Sequence, residues 1–356
     1  MKSSSKLGWL LLVSLLVVML SACGKEGQAV PPAEGIAPPE SVLPEETVPP
    51  EPEVPAYTAP LTGLPLEEPV TRRPLAIMIN NAPAARPQSG LIDADVVYEV
   101  LAEGGVTRLV SIYHSQADNA KIGPIRSIRP YMIDLGESYH GVLVHAGASN
   151  DAFAILQRQH KEDLDEITNA GSFFWRDKSR KAPHNLYSNV EKLLEGTAKR
   201  GFATEDASVP TYVFYKENEH PDSLESANHV EIKFQLDSYR VGYEYDAATG
   251  LYKRSINGEP HTDLETGNPL TAANVVVMGA DHRVLDDVGR LEVGLSLGGE
   301  AMLFQQGKLI RADWIRKEGD IIRFIKDNVE LPMVPGQTFI HVVPNTPDFS
   351  SHVKVE

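Results

Sequence analysis

The chain has 356 residues, of which 42% are hydrophobic, and a formal net charge of −16 at pH 7. Such a negative chain repels nucleic acid and anionic lipid head groups, which excludes nucleic acid as a partner and leaves contacts with anionic polymers to a local basic patch. The chain has one cysteine, so it has no intramolecular disulfide and no metal site built from several cysteines.

The N-terminus has the pattern of a bacterial lipoprotein signal. Lys2 and Lys6 precede an apolar run over 7–20, which ends in Leu-Ser-Ala before Cys23. This pattern predicts a signal peptide over 1–22, whose removal takes both lysines and changes the net charge from −16 to −18. Cys23 is then the expected lipidation site, and acyl chains such as palmitate would hold the protein on the outer face of the cytoplasmic membrane. An uncleaved membrane helix is the alternative, although the apolar run is short for a stable span.

Residues 23–57 are predicted to be the lipidated cysteine followed by an acidic, proline-rich tether. From 24 to 57 the chain has nine prolines and seven glutamates against one basic residue, Lys25. Proline keeps such a segment extended and like charges expand it, so the tether would reach up to about 100 Å from the membrane at ~3.1 Å per residue.

The folded part is predicted to be α+β, with an N-terminal mixed α/β domain over 58–215, a linker over 216–228 and a β-rich C-terminal domain over 229–356. About 300 residues are more than one hydrophobic core usually serves, which favours two domains. The predicted N-terminal strands cover 75–79, 96–101, 107–114, 141–145 and 211–215. The predicted C-terminal strands cover 230–234, 240–245, 251–256, 274–278, 301–304, 321–325 and 338–343.

Local signals mark several helix starts and turns. A capping box beginning at Ser188 predicts a helix that closes near Gly201, Ser149 or Asp151 is expected to cap a helix through 152–156, and Ser127 is expected to cap a helix with Pro130 in its first turn. Gly104-Gly105 suits a hairpin between two strands, and Asn257-Gly258 is a favoured two-residue hairpin turn.

Two segments carry candidate ligand-binding residues. Arg126 and Arg129 lie at a predicted helix start, where guanidinium groups and backbone N–H groups together suit a carboxylate or phosphate. The alternative is that they pair with Glu99, Glu103 or Asp134 of the same acidic domain. The segment 173–181 places three aromatics, including Trp175, beside four basic residues, with His184 and Asn185 following, which suggests a binding loop for sugars and anionic groups. An ordinary surface loop with its aromatics packed beneath the fold is the alternative.

Catalytic signals are weaker. Glu99 and Glu103 are a candidate acid and base for glycoside cleavage, which needs two carboxyl groups with separated pKa values, but surface or ion-paired glutamates are the simpler explanation. Ser149 lacks the glycine that a nucleophile elbow requires two residues later. The histidines show no metal-ligand spacing, and no phosphate-binding glycine loop occurs, so no metal and no cofactor are predicted.

Five motifs carry a resemblance to a known family: Asn80-Asn-Ala-Pro-Ala-Ala-Arg86-Pro-Gln-Ser-Gly90-Leu, Tyr98-Glu99 with Glu103-Gly-Gly-Val-Thr-Arg108, Ile122-Gly-Pro-Ile-Arg126-Ser-Ile-Arg129, Ala182-Pro-His184-Asn185-Leu-Tyr187 and Pro335-Gly-Gln-Thr-Phe-Ile-His-Val-Val-Pro344. Together they resemble the YerB-like lipoproteins of Gram-positive bacteria. The resemblance implies an envelope lipoprotein with an α/β domain followed by a β-rich domain, an unassigned function and no agreed catalytic residues.

One hypothesis unites these motifs: Arg86, Arg108, Arg126, Arg129 and His184 line one cleft opposite Glu99 and Glu103. Such a cleft in an acidic protein would suit an anionic or zwitterionic ligand. The sequence therefore favours a non-enzymatic binding or accessory protein, whose partner is peptidoglycan, an anionic wall polymer or an envelope protein. The alternative is a hydrolase of the cell wall that uses Glu99 and Glu103.

Overall fold

A long mixed sheet runs through the described part of the chain, and its strands come from both halves of the sequence. The computed structural model describes residues 57–116, 120–221, 223 and 225–356, which belong to one compact unit. The predicted signal peptide, Cys23 and the predicted tether as far as residue 56 lie outside the described residues. No helix within the described ranges is both long enough and apolar enough to cross a membrane.

The first half of the described chain contains all three α-helices. These are α1 (Pro130–Glu137), α2 (Asn150–Arg158) and α3 (Val190–Lys199). Its strands are β1 (Tyr57–Thr58), β2 (Pro65–Leu66), β3 (Leu75–Asn80), β4 (Val96–Leu101), β5 (Thr107–Tyr113), β6 (Lys121–Ile122), β7 (Val142–His145), β8 (Asp163–Asp165), β9 (Trp175–Arg176) and β10 (Leu186–Asn189).

The second half is built from strands. They are β11 (His229–Lys233), β12 (Arg240–Asp246), β13 (Leu251–Ile256), β14 (Glu259–Pro260), β15 (Thr271–Ala272), β16 (Asn274–Ala280), β17 (His282–Val284), β18 (Leu291–Val293), β19 (Gly299–Gln305), β20 (Lys308–Ile315), β21 (Arg323–Lys326), β22 (Val329–Glu330), β23 (Thr338–Pro344) and β24 (Val353–Val355). Short 3₁₀ helices cover Pro83–Ala85, Leu91–Asp93, Glu103–Gly105, Gly171–Phe173 and Phe349–His352.

The long sheet joins the two halves through a parallel pair. In the described residues its order is β22-β21-β20-β19-β16-β23-β4-β5-β3-β7-β8, and β23 pairs in parallel with β4. Strand β5 runs antiparallel to both β3 and β4, and β7 runs parallel to β3. The carboxyl ends of β3, β4 and β7 therefore lie at one edge of the sheet, beside the start of β5. Ligands of open α/β sheets commonly bind at this edge.

Each face of the long sheet has its own hydrophobic core. The helix face packs α1 and α2 through residues such as Met132 and Leu156 against Met78 and Val110. The opposite face packs α3 and a second sheet, ordered β14-β13-β12-β11-β24 with β15 beside β13, against residues such as Val97. Because successive strand residues point to opposite faces, adjacent residues of one strand belong to different cores.

Most predicted strands are confirmed, but the strand predicted over 211–215 is wrong. Its backbone bonds go to two different segments, since the Tyr212 N–H donates to the Pro60 carbonyl and the Tyr215 N–H to the Met333 carbonyl. Strand β20 was not predicted from the sequence, although it pairs with every residue of β19.

The helices were predicted correctly, but two of their caps were not. Asn189 rather than Ser188 caps α3, with its side chain accepting from the Lys192 N–H at 2.9 Å. Ser188 lies within strand β10 and donates to the Phe173 carbonyl. At α1 the N-cap is Arg129, which makes no side-chain cap, so Ser127 does not cap that helix. Ser149 caps α2 and accepts from the Ala152 N–H, as one of the two predicted alternatives.

Candidate functional site

A group of basic side chains gathers on the helix face, at the edge where β3, β4 and β7 end. Arg108 is the second residue of β5 and lies directly opposite Asn80 of β3. The Arg126 N–H donates to the Met78 carbonyl, which holds that segment beside β3. Arg129 caps α1 next to them. We call Arg108, Arg126, Arg129 and His184 the basic cluster.

One member of the basic cluster is neutralised by a carboxylate. Arg129 makes two hydrogen bonds to Glu103, and the bond from Nη2 to Oε2 measures 2.7 Å. Although partial burial alone would raise the pKa of Glu103, Arg129 holds that pKa below its usual value. The alternative predicted for the two arginines, pairing with Glu103, therefore applies to Arg129.

Arg108 carries a buried charge that its surroundings only partly compensate. Its residue exposure is 8%, and Nη1 donates to the Ser127 carbonyl at 2.7 Å. Its Nε is buried and has no hydrogen-bond partner among the described residues. Burial, with the like charge of Arg129 nearby, lowers the pKa of Arg108 to about 10. The folded protein thus disfavours this cation, and an anion beside it would relieve the cost.

Arg126 lies half-buried next to these groups. Within the described ranges its guanidinium makes no hydrogen bond or ion pair. Burial and the nearby charge of Arg129 both lower the pKa of Arg126. His184 completes the cluster by accepting a hydrogen bond at Nδ1 from Asn80 Nδ2 at 2.8 Å. Burial and Arg126 lower the pKa of His184, so its imidazole is neutral at pH 7 and Nε2 carries the proton.

The opposite face of the sheet holds a buried polar network centred on Glu99. One carboxylate oxygen accepts from Tyr239 at 2.6 Å, Thr107 at 2.7 Å and Asn81 at 3.1 Å. The other accepts from Arg254 Nη2 at 2.6 Å, and both members of this ion pair have fully buried side chains. Burial alone would raise the pKa of Glu99, but Arg254 and the hydrogen bonds hold it well below its usual value.

The network continues through neutral groups from both halves of the chain. Arg254 Nη1 donates to the Tyr243 hydroxyl at 2.7 Å, and Arg254 Nε donates to His261 Nδ1 at 3.0 Å. Burial and Arg254 lower the pKa of His261 to about 3, so this ring is neutral and its Nε2 donates to Gln88 at 2.7 Å. Glu99, Arg254 and His261 each have hydrogen-bond partners within the network, which indicates a structural role for it.

The single cleft predicted from the sequence does not form. Glu99 lies opposite Leu109 in the sheet, the neighbour of Arg108, so Glu99 and Arg108 point to opposite faces. Arg86 is also on the face of the Glu99 network, with its guanidinium carbon 5.3 Å from the centre of the Tyr239 ring. The structure therefore brings together Arg108, Arg126, Arg129, His184 and Glu103, and separates Arg86 and Glu99 from them.

The carboxylate pair of the hydrolase hypothesis is separated as well. Glu99 is sealed from solvent and bound to Arg254, whereas Glu103 is held by Arg129 at the sheet edge. Both carboxyl groups have lowered pKa values, which is the opposite of what a general acid needs. In the described part of the chain no three histidine, cysteine or carboxylate side chains group as metal ligands.

The aromatic and basic segment forms a hairpin of β9 and β10. Phe173 and Phe174 are buried, as the alternative interpretation expected, and Trp175 is half-buried in β9. Asn185 closes the hairpin loop, because its side chain accepts from Arg176 and donates to the carbonyls of Asp177 and Arg180. Asn185 therefore has structural contacts that the sequence did not predict, and Trp175 pairs with Tyr187 within the hairpin.

The network residues Asn81, Thr107, Tyr239 and Arg254 were not predicted from the sequence. The one available signal was Glu99 itself, a charged residue in the otherwise apolar run of β4, because a buried charge requires a partner. Arg254 is 155 positions away along the chain, and no spacing rule connects the two.

Comparison with known proteins decides the family. Residues 61–203 match the family described as "Protein of unknown function (DUF3048) N-terminal domain", and residues 230–340 match its C-terminal domain. The chain belongs to the DUF3048 family. A two-domain organisation of the family agrees with the predicted order of an N-terminal and a C-terminal domain, and the structure shows that both matched segments contribute strands to the long sheet.

One relative carries the name of a lipoprotein, marked as putative. The chain is 37% identical over 290 residues to the Bacillus subtilis (strain 168) protein named "Putative lipoprotein YerB", which covers 81% of this chain and 86% of that protein. It is also similar to the crystal structure of the YerB protein from Bacillus subtilis, with a TM-score of 0.76 and 34% identity over 84% of this chain and 99% of that one. The resemblance to the YerB-like lipoproteins is confirmed, and a lipoprotein of unassigned activity is what the family supports.

Proposed function

We propose that this protein is a lipid-anchored binding protein on the outer face of the cytoplasmic membrane, and that its basic cluster holds an anionic group of the cell wall. The main support is Arg126, whose guanidinium is half-buried and makes no hydrogen bond or ion pair within the described residues. It lies beside Arg108, whose buried charge is only partly compensated. Three arginines there face one carboxylate, Glu103, in a chain whose net charge is −16. Teichoic acid phosphates and peptide-stem carboxylates both suit guanidinium groups.

Lipidation at Cys23 is expected to place the protein at the membrane. A Cys23→Ala variant should not incorporate radioactive fatty acid, because the thiol is the only acceptor of its kind in the chain. The measurement is fatty-acid labelling in a Gram-positive host followed by fractionation, with the unaltered chain as control. Label on the Cys23→Ala protein would show that the anchor assignment is wrong.

Replacing Arg126 with Gln is expected to weaken wall binding at least ten-fold. The substitution removes a charge and its charge-assisted hydrogen bonds, each worth ~1.5–3 kcal/mol, and keeps a polar side chain at a half-buried position. The mature chain, made without signal peptide and anchor, is pelleted with increasing amounts of purified Gram-positive sacculi. Sacculi with and without teichoic acid show whether phosphate or carboxylate is the anion.

Arg311→Gln is the matched control for this measurement. Arg311 is exposed and pairs with Glu225, so its loss removes the same charge and should leave pelleting unchanged. Equal binding by the Arg126→Gln and unaltered chains, or no pelleting by the unaltered chain, would rule out the basic cluster as a wall-binding site.

A further inference from the structure

A cavity of about 180 Å³ opens at the junction of the two matched segments, on the sheet face opposite the basic cluster. Asn81 and Thr107 from the first half and Tyr239 from the second form its buried floor. Ser238 and Asn257 lie at its exposed mouth. The cavity is therefore open to solvent, and both matched segments build it.

Arg86 brings an unpaired charge to this cavity. Its guanidinium lies over the Tyr239 ring at 5.3 Å, and its buried Nε has no hydrogen-bond partner in the ranges that the structure describes. The backbone around it is fixed, because Arg180 donates to the carbonyls of Ala85 and Pro87. Stacking on an aromatic ring leaves the hydrogen-bonding edge of a guanidinium available.

The floor of the cavity supplies no competing charge. Tyr239, Thr107 and Asn81 all donate to Glu99 beneath them, and Arg254 neutralises Glu99 from the far side. Among the described residues that line the cavity, Arg86 alone is charged. One cation with few free donors around it matches a monoanion better than a phosphate dianion, which needs several donors.

We propose that this cavity binds a small carboxylate, and that Arg86 holds it through the planar fork of its guanidinium. A cavity of about 180 Å³ has room for the end of one amino-acid-sized group. Such a group is either a free small acid or the C-terminal carboxylate of an extended peptide that enters through the mouth.

The two halves of the chain pack closely beside the cavity. Gly105 adopts a positive φ of 72°, and a Cβ atom there would lie 2.8 Å from Leu236 Cγ, so the turn after β4 approaches the second half closely. A ligand in the cavity would touch both halves at once. Binding would therefore stabilise their contact and raise the midpoint of thermal unfolding.

Isothermal titration calorimetry on the full-length chain in detergent micelles tests the proposal. The probes are N-acetylglycine and its neutral analogue N-acetylglycinamide, followed by trialanine with a free and with an amidated C-terminus. We expect N-acetylglycine to bind and the amide not to bind. Binding of free-ended trialanine would identify peptide C-termini as accepted ligands, and binding of N-acetylglycine alone would restrict the site to free small acids.

Variants distinguish this site from the basic cluster. Arg86→Gln should abolish N-acetylglycine binding, and Arg86→Lys should weaken it at least ten-fold, because an ammonium group lacks the fork. Arg126→Gln should leave it unchanged, so failure of the wall-binding proposal and failure of this one give different results. Absence of binding to the unaltered chain, equal binding of acid and amide, or undiminished binding to the Arg86→Gln chain would overturn the proposal.

Discussion

Replacing Arg254 with Met is expected to lower the free energy of unfolding by about 3–5 kcal/mol at pH 7. Removing one partner of a buried ion pair leaves the other charge without compensation. Here the remaining group is Glu99, whose side chain is fully buried and bonded to Arg254 at 2.6 Å. Urea unfolding followed by circular dichroism measures the loss. Because Glu99 and Arg254 come from different matched segments, the same variant tests whether this pair joins the two halves into one cooperative unit.

The stability lost in the Arg254→Met variant should depend on pH, and the pKa of Glu99 determines the direction of that dependence. In the unaltered protein the pKa of Glu99 is lowered, so its contribution to stability is present above the unfolded value of ~4.3 and is lost as the pH falls below it. Without Arg254, burial raises the pKa of Glu99, and the folded variant gains from protonation at acid pH. The difference in the free energy of unfolding between the unaltered protein and the variant should therefore become smaller as the pH is lowered from 7 towards 4. Arg311 belongs to an exposed ion pair, so an Arg311→Met control should change the free energy of unfolding by less than ~1 kcal/mol. A loss of less than ~1 kcal/mol for Arg254→Met would contradict the prediction.

Local features of this fold were predictable because short-range physics determines them. The Asn257-Gly258 turn joins β13 to β14 with positive φ at both residues, 53° and 82°, as a two-residue hairpin requires. The strand Val96–Leu101 has the predicted bounds because its residues are almost all apolar and it is buried on both faces. In both cases a few neighbouring residues contain the whole signal.

The pairing of distant strands was not predictable in this way. The parallel register that sets Thr338 beside Val96 joins the halves into one sheet, yet each strand alone reads only as a buried apolar run. The choice of neighbour depends on packing across the whole core, which no local pattern records. The separation of Arg108 from Glu99 follows from the pairing of β4 with β5. Glu99 lies opposite Leu109, and successive residues of a strand point to opposite faces, so Arg108 lies on the other face. A single cleft was therefore the wrong expectation, although Arg108, Arg126 and Arg129 do lie together at one edge of the sheet.

Replacing Arg108 with Met is expected to stabilise the fold by about 1 kcal/mol while weakening wall binding about 100-fold. The lowered pKa, about 10 instead of 12.5, corresponds to a cost of ~3 kcal/mol for keeping this cation in the folded state. The lost hydrogen bond to the Ser127 carbonyl offsets ~1–2 kcal/mol of the gain. Methionine fills similar volume without the charge, and such replacements of buried charges are often stabilising.

Two measurements on the Arg108→Met variant, the free energy of unfolding and the binding to sacculi, show separately what this charge does to stability and to wall binding. Because a folded pKa of about 10 lies far above neutrality, Arg108 is charged in both states, and the gain in the free energy of unfolding should be constant from pH 5 to 9. Pelleting with sacculi should fall in the same protein, since the cation nearest the buried edge of the cluster is absent. A loss of stability above ~1 kcal/mol would mean that the folded protein already compensates this charge. A gain in stability with weaker binding would instead mean that the fold tolerates an unfavourable arginine because the bound anion requires it.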